Sequence, residues 1–162
     1  MTLKQREELQ PVRGYQSGQI PAAEDMWAGD PVSDVLSLAN HAGLMLVITN
    51  YAGATGTAKI TVESCDDTVP TTQVLILFRY RVITGDTPGA WTATTVAADG
   101  FTTTAGANQA YQIAVLSEGL DGTDKYVRFL MTEVANNPVD GAAQVFAFGP
   151  RHSFDGGVDL TS

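Results

Sequence analysis

The chain has 162 residues and a net charge of −9, and its length, its hydrophobic content of 44% and its mean hydropathy of 0.00 are typical of one folded domain rather than of a disordered chain. The acidity, with a pI of about 4.4, argues against a nucleic-acid-binding surface, because phosphate binding needs clustered Lys and Arg. Cys65 is the single cysteine, which excludes an intrachain disulfide and a disulfide-stapled secreted scaffold.

Three regions with different composition follow one another along the chain. Residues 1–31 are polar and punctuated by proline and glycine, which predicts an extended N-terminal arm. Residues 32–150 are strand-like throughout, and residues 151–162 form a short C-terminal tail. The start of the chain lacks the apolar run of a secretion signal, and the apolar runs 44–48 and 74–78 are too short to span a bilayer. We therefore expect no membrane partner, and a protein that stays in the cytoplasm where it is made or leaves inside a particle.

The body carries eight or nine candidate strands separated by turn signals. They span residues 32–38, 44–51, 57–64, 74–83, 91–96, 101–104, 109–116, 126–134 and 142–148. Residues 57–64 alternate most clearly, with Ala58, Ile60 and Val62 on one face, as in a half-buried antiparallel strand. Residues 74–83 begin fully apolar and then alternate.

Short strands at fairly even spacing are the signature of a sandwich or a barrel. We predict an antiparallel β-sandwich, with a jelly roll as the first topology and an immunoglobulin-like sandwich as the second. Asp99 and Gly100 predict a hairpin between the strands on either side of them. Tyr126 stands at the start of a strand, where its hydroxyl either returns to upstream backbone, as at a tyrosine corner, or plays no such role.

No set of residues points to catalysis, which needs a poised acid, base or nucleophile. His41 falls in a turn and His152 in the tail, where surface roles are commoner than catalytic ones. Cys65 lies beside Asp66 and Asp67, and neighbouring acids raise the pKa of a thiol, which disfavours a nucleophile. We therefore predict no enzyme activity, no catalytic residue and no cofactor.

Two short acidic turns are the candidates for a hard cation such as calcium: Asp66 with Asp67, and Asp121 with Asp124. Neither has the ligand spacing of an EF-hand loop. Solvated turns are the favoured interpretation, so no metal site is predicted.

Arg79 and Arg81 are two residues apart and share one strand face. With Lys59 or Arg128 they would form a small basic patch. Cross-strand pairing with Glu63 or Glu133 is the favoured alternative.

The arm contains large side chains in a polar segment that cannot build a core of its own. These are Tyr15, Ile20, Met26 and Trp27. Because Met, Tyr and Trp are enriched at interface cores, docking on a neighbouring subunit is the favoured interpretation. Packing on the domain's own sandwich and disorder are the alternatives.

Several segments of the body resemble small structural proteins encoded by tailed bacteriophages. They are VSDVLSLAN (32–40), GTAKITVESCDD (56–67), FRYR (78–81), GFTTTAGANQ (100–109) and KYVR (125–128). Within that group, head decoration or "cement" proteins are the most plausible assignment. The resemblance implies a virion protein whose β-sandwich body and extended termini clamp the major capsid protein, as a dimer or trimer. These strings are packing motifs, and they do not separate a head protein from a tail or fibre component.

The alternative is a tail- or fibre-associated sandwich that recognises glycan at the host surface. Exposed aromatic side chains with carboxylates would form its site, and Trp91 and Asp86 are the candidates. The competing interpretation of Trp91 is that it belongs to the core.

Overall fold

A computed structural model describes residues 10–11, 25–51 and 55–150, and those residues contain strands and a single 3-10 turn, Ser117–Gly119, but no α-helix. The strands are Gln10–Pro11 (β1), Leu36–Ser37 (β2), His41–Asn50 (β3), Thr57–Cys65 (β4), Gln73–Leu75 (β5), Arg79–Thr84 (β6), Thr87–Pro88 (β7), Thr92–Ala93 (β8), Phe101–Thr102 (β9), Gln109–Leu116 (β10), Tyr126–Ala135 (β11) and Gly141–Pro150 (β12). No helix in these ranges is long and apolar enough to cross a membrane.

The strands form two antiparallel sheets that pack against each other. The β3 sheet has the order β1-β12-β3-β10-β6-β7, with β8 also paired to β6. The β4 sheet has the order β2-β11-β4-β5, with β9 also paired to β4. The predicted antiparallel β-sandwich is therefore confirmed. Among the long strands, the first pairs with the last and the second with the next to last, a nested arrangement that makes the topology jelly-roll-like.

The core lies between the two sheets and is supplied by alternate residues of the long strands. In β4 the predicted face is confirmed, because Ala58, Ile60 and Val62 are all fully buried. In β10, Tyr111, Ile113 and Val115 are buried in the same way, as are the alternate residues of β3 and β11. The apolar-in pattern read from the sequence thus positions both sheets around one core.

The core also includes two residues that were assigned to the arm. Met26 and Trp27 are buried in it, and the Met26 N–H donates to the Val139 carbonyl at 3.0 Å. The sandwich therefore extends beyond the predicted boundary at residue 32. A large aromatic side chain removes more apolar area from water by joining an existing core than by staying on a polar arm.

The hydroxyl that returns to upstream backbone belongs to Tyr111 rather than to Tyr126. The Tyr111 hydroxyl donates to the Thr104 carbonyl at 2.9 Å and accepts from the Thr104 N–H at 3.2 Å. Tyr126 is half-buried in β11, and no hydrogen bond joins its hydroxyl to another described residue. The corner thus fixes the start of β10, where the ring of Tyr111 enters the core.

Two predicted connections are wrong for the same physical reason. The predicted strand 74–83 is divided, because β5 pairs with β4 in one sheet and β6 pairs with β10 in the other. The predicted hairpin at Asp99 and Gly100 is absent, because β8 pairs with β6 while β9 pairs with β4. Both segments carry the chain from sheet to sheet. Ile76 and Phe78 stay buried through the first crossing, so its local pattern resembles that of one long strand.

Candidate interaction face

Four neighbouring strands place their outward side chains on one continuous surface, the outer face of the β3 sheet. Side chains alternate along a strand, so Met45 and Val47 point outward on either side of the buried Leu46. The strand register sets these outward residues side by side across the sheet. One row is Arg81, Gln112, Val47 and Gln144, and the next is Arg79, Ala114, Met45 and Phe146. The face is therefore uncharged at its centre and carries two arginines at its β6 margin.

The composition of these strands differs from that of the rest of the chain. β3, β10 and β12 contain no Asp, Glu, Lys or Arg, although the protein has 18 acidic residues. On the outer face of the β4 sheet, by contrast, Arg128 Nε and Glu63 Oε2 lie 2.6 Å apart as an ion pair. Antiparallel sheets usually turn polar residues toward water. An uncharged outer face with Met, Val and Phe side chains is thus a candidate contact surface.

Trp91 extends the first row beyond Arg81 at the β6 margin. It directly precedes β8, in which Thr92 pairs with Tyr80. The Arg81 Cζ atom lies 4.7 Å from the centroid of the Trp91 ring, and Arg81 Nε donates to Gln112 Oε1 at 2.6 Å. Trp91 is 41% exposed, so it does not belong to the core. The cation–π contact and the hydrogen bond together hold Arg81 in a defined position on the face.

No family model, no curated protein and no solved structure matches this chain. The resemblance to tailed-phage structural proteins therefore stays a prediction. Function is inferred instead from the fold and from the geometry of the outer face of the β3 sheet.

Two of the four residues predicted to dock on a neighbouring subunit are buried. Tyr15 and Ile20 lie outside the described residues. Trp27 is fully buried and Met26 is 5% exposed, in the core of their own domain. For these two residues the structure shows packing on the domain's own sandwich, which corrects the favoured interpretation. Their side chains are therefore buried within their own domain and are not available for contact with a partner.

Cys65 ends β4 and is buried. Burial is the main cause that raises the pKa of its thiol, and Glu63, Asp124 and Asp66 raise the pKa further, while Arg128 opposes them. A thiol with a raised pKa holds its proton and is a poor nucleophile at neutral pH. The predicted direction was right, but burial contributes more than the neighbouring acids.

The carboxylates of the acidic turns accept hydrogen bonds from nearby residues of the chain. Asp66 accepts hydrogen bonds from Thr71 Oγ1 at 2.5 Å and from the Thr72 N–H at 3.1 Å, and these bonds lower the pKa of Asp66. Asp124 accepts a bond from Ser64 Oγ at 2.7 Å. Within the described part of the chain, no three His, Cys, Asp or Glu side chains converge as ligands for a metal ion.

The histidines are placed as follows. His41 is the first residue of β3 and is half-buried, and His152 lies outside the described residues. His41 therefore belongs to a strand end rather than to the turn assigned from the sequence. The described neighbours offer it no hydrogen-bonded acid or nucleophile of a catalytic set.

The outer face of the β3 sheet is the feature that sequence reasoning missed. A signal for it was present, since three of the longest strands are free of Lys, Arg, Asp and Glu on both faces. In a strand that is apolar on one side only, polar residues alternate with the apolar ones, and charged residues are common among them. What the sequence did not indicate is that these strands are direct neighbours in one sheet.

Proposed function

We propose that the chain is a structural protein of a virion, a capsid decoration protein that binds the assembled major capsid shell through the outer face of the β3 sheet. One observation carries the proposal: the central strands of this sheet bear no charged side chain in a protein of net charge −9. An uncharged surface that presents Met, Val and Phe side chains suits contact with another protein. The resemblance to tailed-phage structural proteins supplies the shell as the partner.

The size of the face indicates how such a protein would bind. Four strands about 4.8 Å apart and about eight residues long cover on the order of 500 Å². A standard stable interface buries about 800 Å² on each partner. A single contact through this face is thus weak. Many copies on a repeating lattice add contacts through avidity, and binding only the assembled state stabilises that state by mass action.

A single substitution at the centre of the face tests the proposal. Val47→Lys places a charge where the contact would exclude water, so we expect occupancy on purified heads that lack this protein to fall by about tenfold or more. Val134→Lys makes the same substitution at an exposed position of β11 on the other sheet and serves as the matched control. Circular dichroism checks that both variants keep the strand spectrum.

Quantitative mass spectrometry of wild-type particles gives the copy number. We expect hundreds of copies for a shell protein. A handful of copies, or equal occupancy of Val47→Lys and wild type, would contradict shell binding through this face.

Deletion of the N-terminal arm is informative only if it leaves the core intact. Removal of residues 1–30 would take away Trp27, which is fully buried, and would therefore test folding rather than binding. A deletion that ends at residue 24 keeps Met26 and Trp27. This shorter deletion is the appropriate variant for measuring the arm's share of head occupancy.

A second candidate function is glycan recognition, and the exposure of Trp91 favours it. An exposed indole ring is a common platform for a sugar, and Asp86 is exposed on the adjoining β6–β7 turn. One Trp91 ring face lies against Arg81, which leaves the other for a ligand. Specific binding on a glycan array that disappears in Trp91→Ala would favour this function. Array signals equal to background for the wild type would reject it.

A further inference from the structure

We propose that the surface bound by the outer face of the β3 sheet is a protein surface that presents carboxylates to Arg79 and Arg81 beside an apolar centre. This inference rests on the proposed function and names the chemistry of its partner. It assigns the β6 margin of the face, rather than the arm, as the place where partner specificity is set.

The two arginines have no acidic partner in the described part of the chain. There the one ion pair joins Arg128 to Glu63, on the other sheet. Arg79 is exposed, and Arg81 makes its side-chain hydrogen bond to the uncharged Gln112. The protein has twice as many acidic as basic residues, and yet these two neighbouring arginines pair with no carboxylate of the described residues, which makes them available to an external one.

Arg81 is also held in the way that interface hot spots commonly are. Its guanidinium is fixed between Gln112 Oε1 and the ring of Trp91, so little side-chain entropy remains to be lost on binding. Trp and Arg are the residue types most enriched among hot spots. The row continues over Val47, which supplies apolar area next to the charge.

Charge decides between the classes of acidic partner. Nucleic acid and anionic membranes are extended polyanions, and a net charge of −9 opposes their approach to the protein as a whole. A protein surface with one or two carboxylates amid apolar side chains matches the two arginines without requiring further cations. This is the partner that the face fits.

The test measures binding to purified heads that lack this protein, with wild type, Val47→Lys and the double variant Arg79→Gln/Arg81→Gln. We expect the affinity of the double variant for heads to be lower than that of wild type by about tenfold or more. This difference in affinity should become smaller at high salt, which screens the charges. Lys125→Gln, which removes a charge from an exposed loop residue, is the matched control and should bind as wild type does. Capping the head carboxylates with carbodiimide and glycinamide should weaken wild-type binding to the level of the double variant.

Three other outcomes of these binding measurements would contradict the inference. If the double variant binds as wild type does while Val47→Lys does not bind, the inference is wrong and the proposed function stands. If wild type does not bind heads at all, both are wrong. If the chain sediments as a dimer that Val47→Lys dissociates, a second copy occupies the face and the inference is overturned.

Discussion

The two outer faces of the sandwich are built from strands of similar length, but the side chains that they turn toward water differ in charge. On the β4 sheet, Glu63 and Arg128 stand opposite each other and form an ion pair, as expected for a solvated antiparallel sheet. On the β3 sheet, the equivalent central positions are Val47, Met45 and their uncharged neighbours. Two sheets that both bury an apolar inner face can therefore differ in their outer faces, one charged and ion-paired and the other uncharged.

The largest effect expected from this difference is on binding to heads, and a comparison of Val47→Lys with Val134→Lys measures it. Both variants introduce one positive charge on an outward position of a sheet. If the faces differ as described, only the first reduces head occupancy. Equal losses of head occupancy in the two variants would mean that the partner does not distinguish the two outer faces.

The ion pair of the β4 sheet is expected to affect the stability of the fold and not binding to heads. Glu63→Gln removes its negative charge, and because both side chains are partly exposed (26% for Arg128 and 16% for Glu63), we expect the free energy of unfolding to fall by no more than about 1 kcal/mol. Urea unfolding at low and high salt measures this, and the difference from wild type should shrink as salt screens the pair. Head occupancy should not change.

A loss of head occupancy in Glu63→Gln would contradict the assignment of this pair to the fold alone. Thr132→Ala, which alters an exposed position in the same sheet without removing a charge, is the control for unspecific effects on β11. A decrease much larger than about 1 kcal/mol would instead mean that the pair is shielded from water more than its exposure indicates.

The smallest expected effect concerns the carboxylates where residues 25–30 meet β11. Asp30 Oδ1 accepts a hydrogen bond from the Glu133 N–H at 2.7 Å. Desolvation, followed by the charge of Asp25, a side-chain hydrogen bond with Asp25 and the charge of Asp30, raises the pKa of Glu133 above its ordinary value of 4.5. The folded state therefore holds this proton more tightly than the unfolded state. The resulting stability is present in full below 4.5 and is lost as the pH rises through the folded pKa.

Glu133→Gln removes this titration, so we expect the variant to be at least as stable as wild type at neutral pH. Its free energy of unfolding should also vary less than that of wild type as the pH rises from 4.5. Urea unfolding across that pH range measures both quantities. Glu118→Gln, at an exposed position after β10, removes the same charge and is the control. A steeper pH dependence in Glu133→Gln than in wild type would contradict the assignment.

Part of the site could have been predicted and part could not. Val47 and Met45 were inside a predicted strand, and their outward direction follows from the buried Leu46 between them. Trp91 was singled out, but its competing interpretation as a core residue is wrong, since it is 41% exposed. Its contact with Arg81 depends on β8 lying beside β6, which no local pattern indicates.

The amino-acid pattern was sufficient to predict the all-β class and the inward faces of the best-alternating strands, and the acidity of the chain disfavours nucleic acid. These are local or summed properties, since alternation has a period of two residues and net charge needs no geometry. Three features emerged from the folded structure alone: residues 74–83 divide between the sheets, Trp27 joins the core, and β3, β10 and β12 are neighbours. Those outcomes depend on long-range strand pairing, in which residues far apart in the chain select each other through the packing of the whole sandwich.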